Sequence, residues 1–433
     1  MDKRKLNEIE YLNWLVGQPY NMSMAITIRG NLLQKIMRIA LNKIQEKHPL
    51  LQAQIYVDEN EVPYFFWGNI SEIPLEFIPR TSDELYKKIV EEEFLTPFEM
   101  GKDYSLPLIR VKILFSEDLF DLIITMQHVI ADGMSMVFLF MDILSLIIEP
   151  QKKIEPLSVV RTIENILPIS FQKKIPKNNR KFKLTFWFIK RIIKVYQFKN
   201  KFSRKKDKQK NLIFTDFENK HLITNAWTLT KGQSDELIKK AKENNITVHS
   251  AICTMFLSDF PIINNPVDLR KRLAYDVGRS IGCYAGGLVI KKKYNTRRSF
   301  WVNARNYHKK LKKGLRDKNT FSIFKKVSRS VKRAAFNEIS PMFLELASKS
   351  KPFGITNLGS LDRFNIVLAS KNYIIENLYG GVSGTFDALV LTIFTIEQKI
   401  HFHFHYFSPP HTKEEIEKYV SNALNKLEEA LKT

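Results

Sequence analysis

Between Asp121 and His128 the chain alternates: Leu122, Ile124 and Met126 share one side with His128, and Asp121, Ile123, Thr125 and Gln127 share the other. That period predicts a strand with His128 at its end. Asp132-Gly133 interrupts it, and Met136–Ile148 is apolar nearly all round, as expected of a buried helix. Gly133 is the residue expected to permit the tight turn. A histidine leaving a strand at such a turn is well placed to take a proton inside a channel.

The same reading extends along the chain. Leu32–Gln45 has helical spacing, with Leu33, Ile36, Met37, Ala40, Leu41 and Ile44 on one stripe, and His48-Pro49 ends it because a residue before proline avoids the α region. Gln52–Asp58 reads as a strand and Ser82–Phe94 as a second helix capped by Ser82. Leu108–Phe115 and Leu119–His128 form an expected hairpin across Ser116-Glu-Asp. Farther on, Ala226–Leu229 is strand-like, a helix follows Ser234, and another through Val248–Leu257 is capped by Thr247. Ala388–Ile396 and Ile400–Phe407 read as strands before a last helix with a capping box at Thr412-Lys-Glu-Glu415. The expected fold class is therefore mixed α/β.

With 433 residues, 44% of them hydrophobic and 31 Phe, the chain can bury more than one core. Residues 1–165 and 213–433 are the expected domains, joined by a segment at 166–212. Cys253 and Cys283 are the only cysteines, which excludes a disulfide framework and a cysteine-rich zinc site and suits a reducing, cytoplasmic compartment. Met1–Glu8 contains no apolar signal-like core. The longest apolar run, Met134–Ile148, is interrupted by Asp142 and falls short of the roughly 20 residues that span a bilayer.

The net charge of +23 is concentrated: from Lys173 to Lys210 there are sixteen Lys or Arg against one acid, Asp207. Phe182, Phe186, Ile189, Ile193 and Tyr196 recur there at helical steps. Two readings stay open, a basic amphipathic helix that meets an anionic membrane or an acidic partner, and a crossover whose apolar face packs on the body. No zinc, homeodomain or RNA-recognition signature accompanies the charge, which argues against nucleic acid. No phosphate-binding glycine loop is present.

His128-Val-Ile-Ala-Asp132-Gly133 resembles the His-x-x-x-Asp-Gly motif of the CoA-dependent acyltransferase superfamily, which includes chloramphenicol acetyltransferase, peptide-synthetase condensation domains, alcohol acetyltransferases and polyketide-associated acyltransferases. Further segments agree with it in order: His48-Pro49-Leu50-Leu51, Leu106-Pro107-Leu108-Ile109-Arg110, Pro266–Arg272 with its Asp-Leu-Arg, the glycine-bearing stretch 281–287, and Ile355-Thr-Asn-Leu-Gly359. The resemblance implies two chloramphenicol-acetyltransferase-like domains with the active-site channel at their interface.

It also implies chemistry. His128 would be the general base that deprotonates an alcohol or amine as it attacks a thioester, with no acyl-enzyme. Asp132 would point away from substrate and pair with Arg270, or failing that Arg272, to hold the loop. Asn357 and Gly359 would form a turn facing the channel, where Asn357 could bond the donor or the oxyanion; a purely structural turn is the other reading. No cofactor would be held permanently; the donor would be acyl-CoA or the phosphopantetheine of an acidic acyl carrier protein, both drawn to cationic surfaces. Gln127 stands where condensation domains usually carry a first histidine, which favours simple ester or amide formation over peptide condensation. The Asp-Phe-Gly-Trp-Gly motif of the plant branch is absent.

Two histidine features have plainer readings. His48 reads as a structural, helix-ending residue. His401, His403 and His405 alternate with Phe402 and Phe404, and are read as solvent-facing in preference to a zinc site. A catalytically silent, condensation-like module that docks carrier proteins or a membrane is the alternative from another class.

Overall fold

The computed structural model describes residues 2–158, 168, 220–316, 353–362, 373–382 and 388–432, apart from positions 8, 9, 12, 15, 16, 61 and 102. The basic segment at 173–210 lies outside these residues. In the first half the elements run β1 (Asp2–Lys5), β2 (Asn21–Arg29), α1 (Gln34–Lys47), β3 (Ala53–Val57), β4 (Pro63–Trp67), β5 (Leu75–Pro79), α2 (Leu85–Leu95), β6 (Ile109–Phe115), β7 (Leu119–Gln127) and α3 (Gly133–Ile148). In the second they run β8 (His221–Thr228), α4 (Lys231–Glu243), α5 (Val248–Met255), β9 (Ile262–Asp268), β10 (Ala285–Lys291), α6 (Phe300–Arg316), β11 (Phe353–Ser360), β12 (Ile374–Val382), β13 (Leu389–Ile396), β14 (Lys399–Ser408) and α7 (Lys413–Lys432). The mixed α/β class is as the sequence indicates.

The expected hairpin is present: β6 and β7 pair antiparallel, and the Ser116 N–H donates to the Leu119 carbonyl (2.8 Å). Both faces of β7 are buried. Leu122, Ile124 and Met126 enter a core shared with α1 and α3, while Ile123 packs with Tyr86, Val90 and Phe94 of α2. A strand covered on both sides explains why its polar positions, Asp121, Thr125 and Gln127, are buried too. Each has a partner; Asp121, for example, accepts from Thr27 (2.6 Å) and Arg80 (2.9 Å).

A five-stranded sheet in the order β12-β2-β7-β6-β5 carries the first half, and a six-stranded sheet, β10-β9-β11-β13-β14-β8, the second; β1-β4-β3 form a small third sheet. β12 departs from the expected boundaries. It belongs by sequence to the 213–433 unit yet pairs antiparallel with β2 of the first sheet. Gly380 makes this pairing close: at φ +106°, a Cβ there would lie 2.2 Å from the Ser23 carbonyl oxygen. Leu269, Ile281, Cys283, Leu358 and Phe394 likewise join the core of the first half. The sequence reading placed no strand at 374–382, and a local pattern carries no information about which sheet a strand enters, so the pairing of β12 with β2 came from the structure.

Helix starts show smaller differences. α2 begins at Leu85 after Glu84 and has no side-chain cap, so Ser82 does not cap it. α4 begins before Ser234, under a Thr230–Gln233 capping box. Leu33 precedes α1 and is exposed instead of lying on the buried stripe. Thr247 does cap α5, accepting from the Ser250 N–H (3.2 Å), and Thr412 accepts from the Glu415 N–H (3.2 Å). Charge is also less localised than the 173–210 run suggests: residues 291–316, including α6, carry eleven Lys or Arg and no Asp or Glu. The apolar stripe of α6, with Trp301, Ala304, Tyr307 and Leu311, is spent on the second core.

Candidate active site

β7 ends at Gln127, and the buried residues Val129, Ile130 and Ala131 turn the chain back. The turn sets the Ala131 carbonyl 2.8 Å from His128 Nδ1. A carbonyl only accepts, so Nδ1 carries the proton and Nε2 is the basic nitrogen. The backbone is fixed from both sides: His128 N–H donates to the Tyr20 carbonyl (3.0 Å), and Asn13 Nδ2 donates to the His128 carbonyl (3.0 Å). The Tyr20 ring lies 4.7 Å from the imidazole. Burial pushes the His128 pKa below its ordinary 6.5, with the Ala131 carbonyl and the Asp132 charge opposing, so the ring is neutral at neutral pH.

Asp132 is the N-cap of α3. Its Oδ1 accepts from the Ser135 N–H (2.8 Å) and hydroxyl (2.9 Å), and its Oδ2 from the Tyr284 N–H (2.9 Å). Arg270 completes the site with a two-pronged contact, Nη1 to Oδ2 at 2.9 Å and Nη2 to Oδ1 at 3.0 Å. The same guanidinium donates to Ser135 Oγ (2.8 Å) and Asp268 (3.1 Å) and lies over the Tyr284 ring. Burial would raise the Asp132 pKa, but the charge and hydrogen bonds of Arg270 outweigh it and the net shift is downward. Ser135 and Tyr284 escaped the sequence reading; the serine three residues past the aspartate was the available cap signal.

His128 lines a cavity of about 350 Å³ between the two halves of the molecule. Tyr20, Met22 and Met24 bound it from the first half, and Thr356, Leu358 and Thr392 from the second. Gly133 sits on its wall, but not as a turn glycine. It is the first residue of α3 and is absent from the positive-φ glycines; a Cβ there would meet Leu358 Cδ2 at 3.0 Å. Its requirement is space, which corrects the turn expectation.

Other candidates lie elsewhere. Strand alternation turns Thr356 and Leu358 toward the cavity and leaves Asn357 exposed, its Oδ1 accepting from the Gly359 N–H (2.8 Å). Asn357 and Gly359, at φ +75°, thus form a surface turn instead of facing the channel. Arg272 donates to the Leu315 carbonyl (2.9 Å) and does not reach Asp132. Gln127 points away from the His128 cavity and lines a separate one of about 460 Å³ with Trp14, Tyr56, Phe98 and Met100. His48 is buried, with Nε2 3.2 Å from Asp142, the acid that interrupts the apolar helix α3; Lys47 reaches the same oxygen (2.6 Å).

Two of the three alternating histidines are not solvent-facing, and His401 is half-buried. His405 is fully buried and His403 nearly so, because β14 is flanked by β13 and β8 and covered near its end by β12 and α2. Burial pushes their pKa values down to about 4 for His403 and about 3 for His405. Among the described residues no group of three or more His, Cys, Asp or Glu is placed to hold a metal, and no helix is long and apolar enough to cross a membrane.

The condensation-domain family profile matches residues 16–160, the stretch that carries His128, Asp132 and Gly133. The chain has the fold of condensation domains. It superposes on the first condensation domain of the CDA synthetase with a TM-score of 0.68 at 11% identity, covering 99% of this chain and 96% of that one. Polyketide synthase associated protein 5 from Mycobacterium tuberculosis gives 0.64 at 16% identity, covering 99% and 96%. Trichothecene 15-O-acetyltransferase from Fusarium sporotrichioides gives 0.64 at 14%, covering 98% and 94%. At these identities the likeness is one of fold. By sequence, the chain is 31% identical over 117 residues to surfactin synthase subunit 2 of Bacillus subtilis, 27% of this chain, and 23% identical over 289 residues to subunit 1, 63% of this chain. The matches span only 3% and 7% of those much longer proteins.

Proposed function

We propose that this condensation-type chain transfers an acyl group from a CoA or carrier-protein thioester to a hydroxyl or amine acceptor. The observation that carries the reading is the tautomer of His128: Nδ1–H is committed to Ala131, which leaves Nε2 basic on a ring that lines the cavity. In this mechanism Nε2 takes the proton of the acceptor as its oxygen or nitrogen attacks the thioester carbonyl. The tetrahedral adduct then expels the thiolate, and the imidazolium returns the proton to sulfur, with no acyl-enzyme. Asp132 and Arg270 hold the turn and touch neither reactant. Acyl-CoA and an acidic carrier protein are the two donors, and the positive charge carried by the sequence at 173–210 and 291–316 would attract them. We place the protein in the cytoplasm and, from the charge of the sequence at 173–210, propose its peripheral association with an anionic membrane.

The test is thiol release from acyl-CoAs and acyl-carrier proteins with mixed alcohols and amines, in the wild type and in His128→Ala. Acceptor-dependent release that vanishes in the variant supports the assignment; equal release in both proteins overturns it. A stand-alone amide synthase is the second outcome of the same panel, recognised by a strict requirement for an amine. Docking of a carrier protein with no release from any thioester would favour a non-catalytic module.

A further inference from the structure

On the far side of the His128 turn lies the second cavity, of about 460 Å³, which the acyl-transfer reading leaves unused. Trp14, Tyr56, Phe98 and Met100 supply its apolar wall, and Gln18 and Gln127 stand among them as amides. Gln127 is 1% exposed, and its backbone is committed to the sheet and the turn. Its N–H donates to the Leu108 carbonyl (3.1 Å), and its carbonyl accepts from the Ile130 N–H (3.1 Å). Its register partner Asn21 sends a side chain from the same face to the Glu93 and Thr96 carbonyls, just ahead of Phe98. What Gln127 presents to the cavity is therefore its side-chain amide.

The orientation of both amides follows from what they touch. A backbone N–H only donates, so the Val129 N–H identifies Gln127 Oε1, and the Phe98 N–H (3.3 Å) identifies Gln18 Oε1. The nitrogens are the open ends. Gln18 Nε2 reaches the Met100 sulfur (3.3 Å), a weak acceptor, and Gln127 Nε2 has no acceptor among the described residues. A buried amide nitrogen in that state lacks the hydrogen bond that most buried polar groups make. Among the described residues, none that lines the cavity is charged, and the Arg110 guanidinium stacked on Phe98 is paired with Glu93. The cavity thus combines aromatic surface with neutral hydrogen-bond donors.

We infer that this cavity is a second ligand site, separate from the His128 cavity, and that it takes a neutral compound joining an aromatic ring to a carbonyl oxygen. The ring packs among Trp14, Tyr56 and Phe98, and the oxygen accepts from Gln127 Nε2. The two cavities share backbone and not space: Gly17 and Gln18 line one and Tyr20 the other, and Gln127 and His128 divide between them in the same way. The inference does not depend on the acyl-transfer reading, and its test needs no turnover.

The experiment is ligand-observed NMR titration of the full chain with acetophenone and ethylbenzene, which match in shape and differ in the carbonyl, and with benzoate, which adds a charge. Acetophenone is expected to bind about fivefold more tightly than ethylbenzene, the net worth of one neutral hydrogen bond, and more tightly than benzoate. Gln127→Met keeps the length of the side chain and removes the donor, and is expected to bring the acetophenone-to-ethylbenzene ratio close to one. Val57→Trp, at the exposed rim, alters neither amide and is expected to weaken both ligands by filling the mouth, so the inference stays testable if the turn does not tolerate Gln127→Met. Gly133→Leu, which fills the first cavity, is expected to leave the titration unchanged. Equal affinity for acetophenone and ethylbenzene would show that water alone satisfies the amide and would overturn the inference. So would no measurable binding of acetophenone, tighter binding of benzoate, a ratio that survives Gln127→Met, or binding that is lost in Gly133→Leu and kept in Val57→Trp.

Discussion

Arg270 and Asp132 stand 138 residues apart and meet in a buried two-pronged ion pair of 2.9 and 3.0 Å, which ties the His128 turn to the second half of the chain. Removing Arg270 leaves a carboxylate that is 2% exposed without its main partner. Arg270→Ala is expected to cost about 3–5 kcal/mol, measured by denaturant unfolding. The Asp132 carboxyl is held below its ordinary 3.8, so its contribution is full above about pH 4 and is lost as pH falls through the folded value. An Arg270→Ala protein with unchanged stability would show that the pair is not structural.

For His128, replacement by Ala or Gln is expected to lower kcat by about 10²–10⁴-fold with the fold intact. Because burial lowers this pKa, the imidazole stays neutral down to below pH 6.5. The profile of kcat/KM should therefore be flat through neutrality and fall on the acid side below that value, with the limb missing in the residual rate of the variants. An acid limb centred above pH 7 would contradict the burial argument.

At Gly133 the decisive quantity is the 3.0 Å that would separate an added Cβ from Leu358 Cδ2. The tip of a leucine can yield by a few tenths of an ångström, so Gly133→Ala should shift stability by less than about 1 kcal/mol. Gly133→Leu should abolish turnover by filling the space beside His128. Full activity in Gly133→Leu would mean that this wall is not used.

His48 offers a control histidine. It and Lys47 both rely on Asp142, and Asp142→Leu would strip the partner from a buried imidazole and from the ammonium. The expected loss is about 1–3 kcal/mol of stability, with kcat unchanged once the protein is folded. A kcat effect as large as that of His128→Ala would move His48 into the mechanism.

The buried histidines of β14 make stability fall with falling pH in the same sense as the Asp132 pair, but over a higher window. Their folded pKa values, about 4 for His403 and about 3 for His405, lie below the ordinary 6.5. Between those limits the unfolded chain takes up protons that the folded protein refuses, so stability should fall as pH is lowered from about 6.5 toward 4. His403→Gln is expected to flatten that slope in urea titrations across the window; an unchanged slope would reassign it to other groups.

Much of this protein was legible from local pattern. The alternation ending in His128, the break at Asp132-Gly133 and the apolar run after it define a strand, a turn and a helix, because side-chain periodicity follows directly from backbone geometry. The order of short motifs was enough to indicate the condensation-type fold and to nominate Arg270. Tertiary structure alone decided the rest. Which sheet β12 joins depends on the close approach that Gly380 permits to Ser23 of β2, a contact between residues far apart in sequence. Whether His403 and His405 meet water depends on what covers β14, and whether Asn357 or its neighbours face the cavity depends on the sense in which β11 enters its sheet. Gly133 shows the same limit at a single atom. The sequence marks it as a glycine between a strand and a helix, and only the position of Leu358 reveals that what it provides is space.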